Sequence, residues 1–130
     1  MTRALDAMYA RIVLGLEVKP HRADDTGHLH EFDHENQRSR CLRRYTESLD
    51  AVLPGLEKVR QSGKWCCINI HSDHHYLWEV TLIPHDSPDH RPTITVQTED
   101  HKELPLIVAK ALLLASGVTQ KEIDDVEDKL

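Results

Sequence analysis

The sequence predicts an α+β fold: a three-stranded antiparallel meander sandwiched by helices, in the order α-α-β-β-β-α. Three observations carry this. Apolar residues recur at helical steps near the N-terminus and again after residue 46, alternating runs follow one another across short links between residues 65 and 98, and a nearly all-apolar helical stretch comes after them. At 130 residues one core can bury well over half of the unfolded surface, so residues 1–130 are expected to form a single domain.

From Thr2 to Leu16, the residues Leu5, Met8, Tyr9, Ile12, Val13 and Leu16 lie on one helical face, and Gly15 marks a stop. Residues 19–40 are polar and histidine-rich, with only Leu29 and Phe32 as apolar anchors, and read as a functional loop or an insertion. A second helix is expected over Glu47–Ser62, capped by Thr46 or Ser48, with Leu49, Val52, Leu53, Leu56 and Val59 inside. Pro54 removes a donor within it, so that helix either kinks or begins its main part there.

Trp65 to Ile70, Tyr76 to Ile83 and Thr93 to Thr98 read as strands, the first two joined through His71-Ser72-Asp73-His74. Leu104 to Ser116 is a helix that opens on Pro105 and closes at Gly117. Thr119-Gln120-Lys121-Glu122 has capping-box spacing and starts an acidic tail helix over 118–130.

These pieces resemble the phage ABA-sandwich domain family. The resembling residues are Leu5-Asp6-Ala7, Leu14-Gly15-Leu16, Tyr45-Thr46, Trp78 and the run from Glu103 to Ala115. They span most of the chain and are packing and capping positions, not catalytic ones. The resemblance implies an antiparallel sheet between helices in a small accessory protein of a temperate phage, a group whose members generally lack an assigned activity. Thr46-Glu47-Ser48 departs from the Ser, Thr and Asp that the family tends to show after its tyrosine.

Composition narrows the classes. Sixteen Lys and Arg against 22 Asp and Glu leave a net charge of -6, which argues against general nucleic-acid binding, since phosphate affinity comes from clustered cations. No run reaches the roughly 18 apolar residues of a membrane span, and no signal-peptide core is visible. Three cysteines, two of them adjacent, make no orderly disulfide framework. The expected compartment is the cytoplasm of a bacterial host.

Two constellations suggest chemistry. Arg38, Arg40, Arg43 and Arg44 form the one basic cluster, just before a helix N-terminus, and guanidinium forks with backbone donors suit an anion. Arg40, Arg43, Arg44, Tyr45, Thr46 and Tyr76 are therefore the candidate ligand-binding residues, the tyrosines serving to stack on a base. Ten histidines are the other feature, and His28, His30, His34, His71, His74 and His75 are the candidate metal ligands, with zinc as the metal. No established zinc spacing accompanies them. Ser72-Asp73-His74 has triad residue types in one tight turn, where triad geometry does not arise.

The expected function is a non-enzymatic phage accessory protein that binds a host component. Its most concrete form is a host-defence inhibitor, docking on a defence protein or sequestering a nucleotide signal. The alternative is a metal-binding module or metal-dependent hydrolase built on the histidines. A homodimer is also expected, through the exposed third strand of the meander.

Overall fold

The structure, a computed structural model, describes residues 3–20, 28–73, 77–87 and 89–128. The chain runs α1 (Arg3–Ile12), β1 (Glu17–Pro20), β2 (Leu29–Asp33), β3 (Arg38–Cys41), α2 (Leu49–Val52), α3 (Pro54–Gln61), β4 (Trp65–Ser72), β5 (Trp78–Pro84), β6 (Ile94–Thr98), a short 3-10 turn (His101–Glu103), α4 (Leu104–Ala115) and α5 (Gln120–Asp128). The class is α+β, and the element order differs from the expected one. There are two antiparallel three-stranded sheets, β1-β2-β3 and β4-β5-β6.

The meander of the first sheet replaces the loop or insertion expected over residues 19–40. Its strands escape the alternation test because little on them is apolar. Val18 of β1 and Glu31 of β2 are register partners and both are buried, while all four residues of β3 are exposed. The β2–β3 turn is held by Asp33, which accepts from the Asn36 backbone at 3.2 Å and from its side chain at 2.7 Å. Gln37 takes the left-handed conformation that closes the turn, at φ 52°.

In the second sheet Ile68, Leu82 and Ile94 form one row, and Ile70, Val80 and Val96 the next. This apolar face lies on α4, which touches β5 and β6 on one side and α1, α2 and α3 on the other. Two-sided contact accounts for the all-round hydrophobicity of α4: Ile107, Val108, Ala109, Ala111, Leu112 and Leu113 are buried at 3% exposure or less. Each large aliphatic side chain so buried contributes about 1.5–3 kcal/mol. The opposite face of the sheet is polar, with Glu79 bonded to Gln97 and paired with His71.

Pro54 splits the second predicted helix. Ser48 caps α2 by accepting from Ala51 N, and Pro54 stands in the first turn of α3, where a missing N–H costs least. The tail helix α5 forms as expected, through reciprocal bonds between Thr119 and Glu122. It packs on α1 and is a core element, with Ile123 fully buried and Lys110 paired to Glu127 at 2.8 Å.

Helix α1 meets the rest through Tyr9, whose ring lies 4.9 Å from that of Tyr45 and whose hydroxyl donates to Val52 O at 2.6 Å. Gly55 makes room for that hydroxyl: a Cβ there would stand 1.8 Å from Tyr9 Oη. Gly55→Ala is therefore expected to lower stability by about 1–3 kcal/mol, an overpacking cost, measured by urea denaturation. Tyr9→Phe in the same background should recover part of that loss, and a Gly55→Ala protein as stable as the wild type would remove Tyr9 as the reason for the glycine.

Candidate functional site

The candidate site grows from the six residues Leu42–Glu47 that connect β3 to α2. Along it Leu42 N continues the ladder to Leu29 O and Glu47 N returns to Arg44 O, while the backbone donors of Arg43 and Thr46 need partners elsewhere. Two buried carboxylates supply them. Asp6, 1% exposed, accepts from Thr46 N at 2.9 Å, from Thr46 Oγ1 at 3.0 Å and from Arg3 Nη1 at 2.8 Å. Glu31, 2% exposed, accepts from Arg43 N at 2.9 Å, from Arg40 Nε at 3.1 Å and from Tyr45 Oη at 2.7 Å. Arg3 adds a third clamp by donating to Leu42 O at 2.6 Å and to Arg43 O at 3.3 Å.

This arrangement reassigns most of the candidate ligand-binding residues. Tyr45 is fully buried, with its hydroxyl on Glu31, and has no face open for stacking. Burial, reinforced by Glu31, pushes its phenol well above the ordinary tyrosine value. Thr46 is buried at 4% exposure on Asp6 and caps no helix. Arg40 pairs across the strands with Glu31, and Arg44 pairs with Glu47 at 3.3 Å. Tyr76 lies outside the described residues. Of the original set, Arg43 alone keeps an exposed side chain with no carboxylate partner among the described residues.

Arg43 lines an open cleft of about 360 Å³ with Leu14, Leu16, Asn36, Pro54 and Lys58, with His34 and the carboxylate-bearing Glu35 on the turn at its rim, and Tyr45 lies beneath it. Lys58, on α3, likewise has no carboxylate partner among the described residues. Asp33 and Arg40 lie between this cleft and a second one of about 370 Å³ that Glu31, Arg38 and Ser39 complete. Asp33 faces Arg38 across the strands, and its carboxyl is held below the ordinary range by the two Asn36 donors first and by Arg38 after them.

The histidines scatter. His30 sits on β2 opposite Lys19 and Cys41, and His28 stands just before that strand. His34, in the β2–β3 turn, bonds Glu17 Oε2 at 2.5 Å. His71 pairs with Glu79 in the other sheet at 3.2 Å. His74 and His75 lie outside the described residues. Among the described residues no three His, Cys, Asp or Glu side chains gather as a metal site.

Comparison with protein-family models, with curated proteins and with solved structures finds no match. Sequence reading missed Lys58; it set Asp6 among packing and capping positions and Glu31, with Asp33, beside the histidines as a group that could orient or ligate, and saw the supporting role of neither. Asp6 had one visible signal: it falls a helical step before Tyr9 and Val13, on the stripe that α1 buries. For Glu31 the signal was alternation with Leu29, too short to separate a strand from a loop.

Two expectations follow. Glu31→Gln faces three donors with an amide that brings two donors of its own. It should cost about 1.5–3 kcal/mol for each charged hydrogen bond lost, with Tyr45→Phe costing less; equal stability of wild type and Glu31→Gln in urea titration would refute the network. The second concerns acid. Burial raises the Asp6 carboxyl above its ordinary 3.8, against the lowering by Thr46 and Arg3. A carboxyl raised by folding gives its full contribution below the unfolded value and loses it as pH climbs through the folded value. Relative to Asp6→Asn, the wild type should thus be most favoured in acid and lose ground as the pH rises, read from denaturation midpoints at stepped pH. A trend of the opposite sign would mean that the three donors outweigh burial.

Proposed function

We propose that this chain is a non-catalytic binding protein of the phage ABA-sandwich kind, and that the cleft over Tyr45 holds a small anionic ligand. Phosphorylated nucleotides are the ligand class that fits. The observation that carries this reading is the pair Arg43 and Lys58, which line one cleft without carboxylate partners among the described residues. Neighbouring Arg40 and Arg44 are neutralised by Glu31 and Glu47. The backbone beneath is fixed by Glu31 and Asp6, so the Arg43 position is set before a ligand arrives, which lowers the ordering cost of binding.

Asn36 and His34 on the β2–β3 turn supply polar contacts, and Leu14, Leu16 and Pro54 an apolar wall for a base or sugar. The family resemblance adds the setting: Asp6 and Tyr45-Thr46, two of its elements, are joined here by hydrogen bonds. In that setting, taking up a nucleotide signal of the bacterial host gives the protein the role of a defence inhibitor, and docking on a host protein is the other form of the same role.

Isothermal titration with adenosine diphosphate, a cyclic dinucleotide and inorganic pyrophosphate tests the cleft. At least one should bind, and Arg43→Ala or Lys58→Ala should weaken it roughly 10- to 100-fold, as expected for losing a charge-assisted hydrogen bond of about 1.5–3 kcal/mol. Failure of all three probes, or binding indifferent to both substitutions, would remove this ligand class from the cleft.

A further inference from the structure

Four strands border the two sheets, and three of them carry the usual protections of an edge. β1 ends in Pro20 and bears Glu17 and Lys19. β3 exposes Arg38 and Arg40. β6, the strand expected to pair with a copy, has only five residues. β4 has none of these: it runs for eight residues, Trp-Cys-Cys-Ile-Asn-Ile-His-Ser, without proline, lysine, arginine or carboxylate. It pairs on one side with β5 and stands at the end of its sheet.

We propose that β4 pairs antiparallel with β4 of a second copy, joining two sheets into one of six strands. Charge at its ends supports this occupant. Lys64 precedes the strand with its ammonium over the Trp65 ring at 5.3 Å and no carboxylate partner among the described residues, while Asp73 follows it and accepts from Leu77 N at 3.3 Å, with carboxylate lone pairs left for a second donor. Antiparallel self-pairing brings each lysine to the other copy's aspartate, twice over.

The register adds detail. The β4–β5 ladder slips by one residue between Trp65 and Cys67, so Cys66 is an extra residue in a bulge. Centred on Asn69, the pairing sets Ile68 against Ile70 and Cys67 against His71 of the second copy. The bulge then absorbs one residue, and Lys64 comes opposite Asp73 on the same sheet face. Half-buried Ile68 and Ile70 extend their apolar rows across the junction.

A cleft of about 240 Å³ lies between α3 and this end of β4, lined by Leu56, Arg60, Trp65 and Ile68 among others. The Trp65 indole N–H is buried without an acceptor among the described residues.

Charge exchange tests the pairing. The 130-residue chain is kept reduced, so that Cys66 and Cys67 form no disulfide, and its mass is followed by sedimentation over a wide concentration range. The wild type should approach twice 14.9 kDa as concentration rises. Lys64→Glu and Asp73→Lys each set like charges opposite one another twice and should stay monomeric, with circular dichroism melts checking that each folds. Mixed in equal amounts they should dimerise again, because a heterodimer of the two restores both opposite-charge contacts. A monomeric wild type, variants that dimerise alone, or a mixture that stays monomeric would each overturn the proposal. The test is independent of the ligand cleft, since neither Lys64 nor Asp73 lines it.

Discussion

Two buried carboxylates, Asp6 and Glu31, hold the connection between the first sheet and the helical layer. Leu42–Glu47 leads from β3 towards α2 with Leu42, Tyr45 and Thr46 buried, and an unpaired buried amide costs about 1–3 kcal/mol. Asp6 and Glu31 take up the backbone donors of Thr46 and Arg43 and, with them, the side-chain donors of Thr46, Tyr45, Arg3 and Arg40. A carboxylate in such a place is destabilising unless its oxygens are filled. Here each accepts at least three bonds, which offset much of that cost, although at Asp6 burial still outweighs its donors. An aliphatic residue of similar volume would leave the connection without partners.

The network explains the distribution of charge in the basic stretch. Read along the chain, Arg38 to Arg44 is a cationic patch before a helix. In three dimensions the pleat and the turn send these side chains to different partners: Arg40 to Glu31, Arg44 to Glu47, Arg38 to the side of Asp33. Arg43 alone donates its backbone inward to Glu31 while its side chain stays outside. The Arg44–Glu47 pair, three residues apart, was legible along the chain, whereas Arg40 is neutralised by Glu31 nine residues away on another strand, which a linear count of cations does not show.

The parts of the fold that were legible are those whose burial shows a strong period. β4 to β6 alternate isoleucine, valine and leucine against polar residues, α4 is apolar all round because it has neighbours on two sides, and Thr119 with Glu122 announces α5. The first sheet was illegible for the converse reason. A strand is recognised by what it buries, and here β1 buries one valine, β2 one glutamate and β3 nothing. Composition alone marks such a stretch as loop. Of the site, Arg43 could be named from the sequence; its isolation from carboxylates, and the buried supports beneath it, arise from pairings far apart in the chain.

Helix α3 links the two surfaces. Lys58 stands on the cleft that takes the anion in our reading, while Leu56, Glu57 and Arg60 wall the cleft beside β4. The helix has only eight residues and one deeply buried aliphatic side chain, Val59, so packing alone locates it weakly. Its position depends on the close contact of Gly55 with Tyr9, whose ring rests on Tyr45, whose hydroxyl is held by Glu31. The same buried carboxylate therefore fixes the backbone of Arg43 directly and the placement of Lys58 at the end of this chain of contacts. Loosening Glu31 shifts one wall of each cleft, whereas a change at Lys58 or Arg60 alters one cleft and leaves the other standing.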